Sequence, residues 1–422
     1  MKARSGVLNS NIGGNALAPL FSTGALTIAN AITDVTRLAG VEGDGATYPA
    51  SRVGVWPAAT NQILNGNCTT NATYIDPNSS ATLARSTSRY KFGATSLEIT
   101  CPGLTNSEGA NFRSGAGTAA AGEVKSAGIW VYHEASGPLN IYCQIAWRDS
   151  GGSALTPSTG TITAVSPFVW TQLTATGTAP ASTDRADVKA IKSSISVDSF
   201  WAGGIQLEAG SIATPYIETD GGTASRVAGR ITVPASGILT ATQGWFIARL
   251  KTGFAAAGPG YVPRIMAYGD ATDDFIAVYY ESGFWKVVSD ATGGGAAQVY
   301  TSADAGLVVG DSRTIYGGWV SDRVNATQGT TAWGAGAART EIPTISSTVI
   351  DIGSMTAILA AREAACTFDW VLMGEGVYTA IDPTVFGNWG DNDPLPHMLP
   401  RAASPTFLMH ANVDGTQYRY AA

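Results

Sequence analysis

The sequence predicts an all-β protein made of two tandem antiparallel β-sandwiches, with an extended N-terminal arm and a C-terminal hairpin extension. Glycine supplies 50 of the 422 residues. Together with recurrent Thr, Val, Ile and Tyr, it favours strands joined by tight turns. Few segments place apolar residues at helical spacing. Because a single core stops growing near ~250–300 residues, the chain length indicates two or three domains.

Composition excludes several functional classes. The net charge is −7, only 14% of residues are charged, and Lys and Arg do not cluster, so the phosphate contacts of nucleic-acid binding are not expected. No apolar run reaches ~18 residues, and the start of the chain lacks a signal-peptide core. Neither membrane insertion nor general secretory export is therefore expected. With so few charges, much of the surface must be neutral and polar or covered by partner chains.

Residues 1–60 are expected to form an arm. They are rich in Ala, Gly and Asn, and their single helical candidate is Thr27–Leu38. This patterning is too weak for an independent core, so the arm is expected to gain order by packing on other chains.

Residues 61–222 are predicted to form the first sandwich, because short apolar stretches alternate with turn residues. Near its end, Trp201, Ile205 and Leu207 share one strand phase and are expected to close the core, and Trp170 is likewise assigned to core packing. The candidate strands are Ala81–Arg85, Ser96–Cys101, Val124–His133, Leu139–Arg148, Phe168–Ala175, Asp187–Ser193 and Ser199–Glu208.

The candidate site comes from two of these strands, Val124–His133 and Leu139–Arg148. Side chains alternate between the two faces of a strand, which predicts that Ile129, Val131, Ile141, Cys143 and Ile145 point into the core. The short connector Ala135–Pro138 favours antiparallel pairing of the two strands. Their outward faces would then merge into one surface that carries Trp130, Tyr132, Tyr142, Gln144 and Arg148.

Such a surface has the chemistry of sugar recognition. Aromatic rings offer flat apolar faces to the C–H side of a pyranose, while Gln and Arg can hydrogen-bond its hydroxyls. The alternative is a protein interface, because exposed aromatic residues mark interfaces in general.

Residues 223–387 are predicted to form the second sandwich, and residues 388–422 a Pro-rich connector followed by a hairpin. Asp414-Gly415 lies between two strand-like runs, which is a strong signal for a type I′ turn. The candidate strands of the second sandwich are Gly244–Phe254, Phe275–Tyr280, Phe284–Ser289, Ser312–Ser321, Thr348–Gly353 and Thr367–Gly374.

Several phrases resemble tailed-phage virion structural proteins. The stretch Pro57–Asn65 and the junction Trp201–Arg226, with its QLE-G and ATPYI-T words, resemble a carbohydrate-binding-module-like jelly roll leading into a concanavalin A-like lectin (laminin-G-like) domain. Four later phrases follow the order of that lectin domain: FIAVYYESGFWKVV, SRTIYGGWVSDRVNATQG, VIDIGS and FDWVLMGEGVYTAIDPTVF.

The resemblance implies a bacteriophage virion protein of a tail fibre, tail tip or capsid fibre that adheres to host-surface glycans. It also implies other virion proteins as partners, and a homo-oligomer, with a trimer as the expected state. Two alternatives stay open at this point. One is a capsid or tail decoration or cementing subunit that binds no glycan, and the other is a polysaccharide depolymerase.

The sequence predicts no catalytic site and no cofactor. Glycan hydrolysis needs two carboxyl groups across the sugar bond, and no strand carries a Glu-x-Asp-x-x-Glu run. No serine or cysteine occupies a recognisable nucleophile elbow. Calcium is the only metal with candidate ligands, the adjacent Asp273 and Asp274, since oxygen ligands on a loop suit that ion. The alternative for this pair is a solvated loop.

Overall fold

The computed structural model describes residues 6–9, 27–29, 53–69, 74–226, 228, 230–235, 239–269, 274–292, 297–300, 304, 306–354, 363–374, 376–380, 383, 407–411 and 416–419. Antiparallel strands dominate, so the all-β prediction is confirmed. Within these ranges no helix has the length and apolar character to span a membrane. The chain divides into two compact units: Ala58–Arg226 belongs to the first unit, and Met1–Ala39, Pro49–Pro57 and Val227–Ala422 belong to the second unit.

Strands are numbered in chain order. The first three belong to the second unit: β1 Gly6–Asn9, β2 Thr27–Ala29 and β3 Val53–Val55. The strands of the first unit are β4 Ala59–Asn61, β5 Ile75–Asn78, β6 Thr82–Ser86, β7 Ser96–Cys101, β8 Gly109–Phe112, β9 Val124–His133, β10 Leu139–Arg148, β11 Ser158–Thr159, β12 Thr163–Val165, β13 Thr171–Thr178, β14 Arg185–Lys192, β15 Asp198–Ala209 and β16 Ala224–Arg226.

Two antiparallel sheets form the sandwich of the first unit. The β9 sheet has the order β13-β9-β15-β7-β6, and the β10 sheet has the order β11-β10-β14-β8-β5, with β12 also paired to β10. The predicted inward phase of both long strands is confirmed. The residues that establish it are Ile129, Val131, Ile141, Cys143 and Ile145, all 0% exposed. The first unit begins and ends on paired strands, because Asn61 of β4 lies opposite Ala224 of β16.

Strands β9 and β10 are not neighbours, so the predicted hairpin is wrong. Strand β9 pairs with β13 and β15, whereas β10 pairs with β11, β12 and β14. The connector between them passes from one sheet to the other. Its length allows either a hairpin or such a crossing, and the choice depends on which distant strands pair with β9. Local sequence carries no information about those partners.

The prediction that Trp201 points into the core is wrong, because β15 contains a bulge. The pairing of β15 with β9 shifts between Gly203 and Gln206, and an extra residue in a strand reverses the alternation beyond it. Ile205 and Leu207 are therefore fully buried in the core, as predicted. Trp201 instead lies opposite Tyr132 on the outward face. Gly204 has a φ of +60° within the bulge, a conformation that favours glycine.

Polar side chains of the junction fasten the segment that follows β15. The Gln206 amide donates to Thr214 O (2.9 Å) and accepts from Ile217 N (2.5 Å), while the Glu208 carboxylate accepts from Thr214 N (2.7 Å). The amide of Asn61 donates to the carbonyl of Ile217 (2.8 Å). The polar residues of the QLE-G sequence thus satisfy the hydrogen-bonding groups of the buried backbone in the ATPYI-T segment that follows β15.

The Glu208 carboxyl predicts a pH dependence of stability. Burial raises its pKa, against the opposing hydrogen bonds from Thr214. Since the folded pKa lies above the unfolded value of about 4.3, the associated stability is fully present below that pH and is lost as pH rises through the folded pKa. We expect Glu208→Gln and the wild type to have the same denaturant midpoint of unfolding near pH 4. Near pH 7, the midpoint of Glu208→Gln should be higher than that of the wild type. An equal difference at both pH values would contradict this.

The remaining strands are β17 Arg230–Pro234, β18 Gly244–Thr252, β19 Arg264–Gly269, β20 Phe275–Glu281, β21 Phe284–Asp290, β22 Ala297–Tyr300, β23 Ser312–Val320, β24 Arg323–Gln328, β25 Ala337–Ala338, β26 Val349–Ile352, β27 Cys366–Gly374, β28 Phe407–Ala411 and β29 Thr416–Arg419, with one 3-10 helix at Tyr378–Ala380 in the described chain.

The second unit is also a sandwich of two sheets. One sheet has the order β1-β29-β28-β27-β18-β23-β24-β25, with β3 on β27, and the other has the order β2-β17-β26-β19-β20-β21-β22. The sheets approach closely at Gly317, where an added Cβ would lie 2.8 Å from Val278 and 3.0 Å from Val287. Trp285 and Trp319 are fully buried.

The chain ends add strands to this second sandwich. Strands β28 and β29 form the expected C-terminal hairpin and pair with β27 and β1, while the predicted turn Asp414-Gly415 lies outside the described residues. Strand β2, Thr27–Ala29, pairs with Arg230–Thr232. The helix predicted from Thr27 is therefore wrong for these first residues, and residues 30–38 lie outside the described part of the chain.

Candidate functional site

Four aromatic side chains lie on the outward face of the β9 sheet, and we call Trp130, Tyr132, Trp170 and Trp201 the aromatic face. The ring centroid of Tyr132 is 5.4 Å from that of Trp170 and 5.9 Å from that of Trp201. Tyr132 and Trp170 are buried, whereas Trp130 and Trp201 are half-buried. Tyr132 therefore supports the ring of Trp201, and the half-buried rings of Trp130 and Trp201 keep part of their surface exposed.

Polar groups flank these rings. Glu134 accepts a hydrogen bond from the Tyr132 hydroxyl (3.0 Å) and forms an ion pair with Arg89 (2.5 Å). The hydrogen bond from Arg89 is the main reason that the pKa of Glu134 is lowered, so this carboxylate is charged at neutral pH. The exposed side chain of Gln172 belongs to the residue opposite Trp130 on β13. Carboxylate, guanidinium and amide groups thus border the apolar rings.

The indole N–H of Trp201 is a buried donor without a hydrogen-bond acceptor in the described chain. Indole nitrogen can only donate, and most buried polar atoms in proteins are paired. Because this nitrogen is itself buried, the contact surface that Trp201 offers to a ligand is the exposed part of its ring.

Trp130 is held from one side by a loop that folds over it. Its ring centroid is 5.9 Å from that of Phe92, which in turn is 4.8 Å from that of Tyr216. The ammonium of Lys91 lies 4.8 Å from the Trp130 ring centroid, which is a cation–π contact. These contacts fix the orientation of the indole before any ligand binds.

Tyr142, Gln144 and Arg148 lie on the other sheet of the sandwich, so the predicted merging of all five site residues into one surface is wrong. Gln144 donates to Thr159 Oγ1 (3.0 Å), and Arg148 donates to the carboxylate of Asp187 (3.0 Å). Since Asp187 is 0% exposed, Arg148 compensates a buried charge and has a structural role. A glycan contact on the outward face of the β10 sheet stays a prediction.

The calcium candidates fall in the second unit. The carboxylate of Asp274 accepts from Thr292 Oγ1 and from Thr344 N (3.0 Å), and these bonds, with Thr292 first, lower its pKa. Asp274 therefore ties two loops together, while Asp273 lies outside the described residues. Wherever side chains are described, His, Cys, Asp and Glu form no group of three or more suited to a metal.

Sequence reasoning missed Trp201, which it assigned to the core, whereas Trp170 is buried as predicted. The usable signal was the Gly203-Gly204 pair, because glycine inside a strand pattern often marks a bulge. Counting the alternation outward from Leu207 without a bulge placed Trp201 on the wrong face.

No protein-family model and no curated protein matches the sequence. Partly similar solved structures include the CBM22-1-GH10 modules of Clostridium thermocellum xylanase 10B with xylohexaose (13% identity, 37% of this chain, 30% of that chain, TM-score 0.31). They also include the C-terminal family 22 carbohydrate-binding module of that enzyme (16%, 37%, 98%, 0.31) and the enzymatically active domain of bacteriophage CBA120 tailspike protein 4 (15%, 35%, 21%, 0.27). The chain thus covers less than a third of the first and last of these. Scores this low carry no functional argument, and what the first unit binds must follow from its own residues.

Proposed function

We propose that the first unit binds glycans through the aromatic face. The observation that carries this proposal is the half-buried ring of Trp201, packed on Tyr132, whose hydroxyl donates to the Glu134 carboxylate that also pairs with Arg89. The ring offers apolar surface to the C–H face of a sugar, and the adjacent donors and acceptors suit its hydroxyl groups.

We further propose that the protein is a virion component of a tailed phage, in a tail fibre, tail tip or capsid fibre, and that it mediates adhesion to the host surface. The sequence phrases at Pro57–Asn65 and Trp201–Arg226 support this role. Homo-oligomerisation, with a trimer as the expected state, would repeat a weak sugar site, and each further tethered contact would then be effectively intramolecular. The second unit would be the concanavalin A-like lectin domain.

A role without hydrolysis fits the electrostatics of the aromatic face. A glycosidase keeps one carboxyl group protonated as its general acid, whereas the ion pair with Arg89 lowers the pKa of Glu134. The depolymerase alternative would need a different acid. The decoration or cementing alternative would instead cover the aromatic face in the assembled particle.

Replacement of Trp201 tests the site. We expect Trp201→Ala in the full chain to weaken binding to host-surface glycan about tenfold or more, because truncation of an aromatic hot spot typically costs ~2 kcal/mol or more. The measurement is titration of the purified protein on immobilised host polysaccharide. Tyr142→Ala tests the other predicted location, since Tyr142 is a half-buried aromatic on the other sheet of the same sandwich.

Each outcome separates the alternatives. Loss of binding in Tyr142→Ala with unchanged binding in Trp201→Ala would move the site to the β10 sheet. Absence of binding by the wild type to any host-surface glycan, with the aromatic face inaccessible in the particle, would support the decoration subunit. Release of reducing sugar ends from host polysaccharide would support the depolymerase.

A further inference from the structure

Phe168 combines three properties that ordinary packing does not explain. It is a bulky residue with a φ of +62°, a left-handed conformation that is an outlier for such side chains. Its side chain is 64% exposed, so burial offsets little of the strain. Within the described chain, its ring has no aromatic partner.

The backbone around Phe168 holds this conformation firmly. Phe168 N donates to His133 O (2.8 Å), and the imidazole of His133, fully buried, bonds Val165 O (2.8 Å) and Ala135 N (3.2 Å). Two residues after Phe168, the buried ring of Trp170 packs on Tyr132. The strained residue is thus clamped from both sides, and it does not sit in a loose loop.

The same contacts place Phe168 next to the aromatic face. Its partner His133 directly follows Tyr132, and Thr171 pairs with Val131 at the start of β13. Phe168 therefore stands at the end of the β9 sheet where Tyr132, Trp170 and Trp201 lie. Strain persists at positions where the surrounding structure over-determines it, and such positions cluster at ligand sites.

We infer that Phe168 is an additional sugar-contacting residue, an aromatic ring that extends the aromatic face at the end of the β9 sheet. This inference rests on the proposed glycan binding. The ring is 64% exposed and lies at the end of the β9 sheet that also carries Tyr132. One ligand would contact this ring as well as the ring of Trp201, so an oligosaccharide or polysaccharide segment is expected to bind more tightly than a monosaccharide.

Three substitutions of Phe168 in the full chain test the inference. Phe168→Ala and Phe168→Gly should each weaken binding to the host polysaccharide about fivefold, and Phe168→Tyr should retain it. The unfolding temperature of Phe168→Gly should also be about 2 °C higher than that of Phe168→Ala, because alanine has a Cβ that disfavours the left-handed backbone and glycine has none. The control for binding is Tyr74→Ala. Tyr74 is also an exposed aromatic residue with a left-handed backbone (φ +67°). It directly precedes β5 of the β10 sheet, and its carbonyl accepts a hydrogen bond from Arg113 N.

The results separate this inference from the proposed function. Unchanged affinity in Phe168→Ala and Phe168→Gly, with affinity lost in Trp201→Ala, would overturn the inference and leave the proposed function standing. Unchanged affinity in all three variants would overturn both. Equal unfolding temperatures of Phe168→Ala and Phe168→Gly would remove the strain argument. Equal affinity for a monosaccharide and for the polysaccharide segment would contradict the two-ring site.

Discussion

Lys192→Met is expected to lower the free energy of unfolding of the first unit by about 3 kcal/mol, because the substitution leaves the buried carboxylate of Glu108 without its cation. The ammonium of Lys192 lies 3.8 Å from Glu108 and 3.7 Å from Asp198, and it also donates to the carbonyl oxygen of Ser196. Lys192 and Glu108 are both 0% exposed. Lys192 therefore compensates the negative charges of Glu108 and Asp198 and holds the loop that contains Ser196.

Glu108 amplifies the effect, because its carboxylate organises a second loop. It accepts from Leu104 N (2.8 Å) and from Gly103 N (2.9 Å). Burial acts to raise the pKa of Glu108, but the backbone N–H groups and the charge of Lys192 together leave the pKa lowered. The carboxylate is therefore charged at neutral pH in the wild type, and Lys192→Met removes the cation that it faces.

Hydrogen exchange of the β8 and β14 amides measures the stability of this unit separately from that of the second unit. The double variant Lys192→Met with Glu108→Gln should recover part of the loss, since removal of both charges is far less costly than removal of one. A loss below about 1 kcal/mol in Lys192→Met, or no recovery in the double variant, would show that the charge pair is not the stabilising element.

Which residues face the core could be predicted from the sequence, and which strands pair could not. Alternation is a local property of a strand, so the burial of Ile129, Ile141 and Cys143 follows from their spacing. The partners of β9 are instead β13 and β15, the latter more than sixty residues farther along the chain. Turn length could not distinguish a hairpin from a crossing between sheets.

The same limit explains the partial success at the candidate site. Trp130 and Tyr132 lie on one outward face, as their shared phase predicted, but Tyr142 lies on the other sheet because its strand does. Trp201 joins Tyr132 only through the bulge in β15, which a regular alternation cannot reveal. Phe168 combines high exposure with a left-handed backbone, and no sequence pattern encodes that conformation for a phenylalanine.

The bulge also makes Gly204 the glycine on which the site depends most. We expect Gly204→Ala to lower the free energy of unfolding of the first unit by about 3 kcal/mol, from a left-handed backbone with a Cβ and from overpacking. An added Cβ would lie 2.6 Å from the ring of Phe92 and 3.1 Å from Trp130 Cδ1. Because these rings orient the aromatic face, glycan affinity should fall with stability.

The control for Gly204→Ala is Gly137→Ala, in the connector of the same unit, where an added Cβ meets nothing within 4 Å. Its effect should stay within about 0.5 kcal/mol. The double variant Gly204→Ala with Phe92→Ala separates the two causes, because removal of the ring relieves the clash and leaves the backbone strain. If Gly204→Ala alone costs no more than Gly137→Ala, the strand can accommodate a side chain at the bulge. The predicted strain and overpacking at Gly204 would then be wrong.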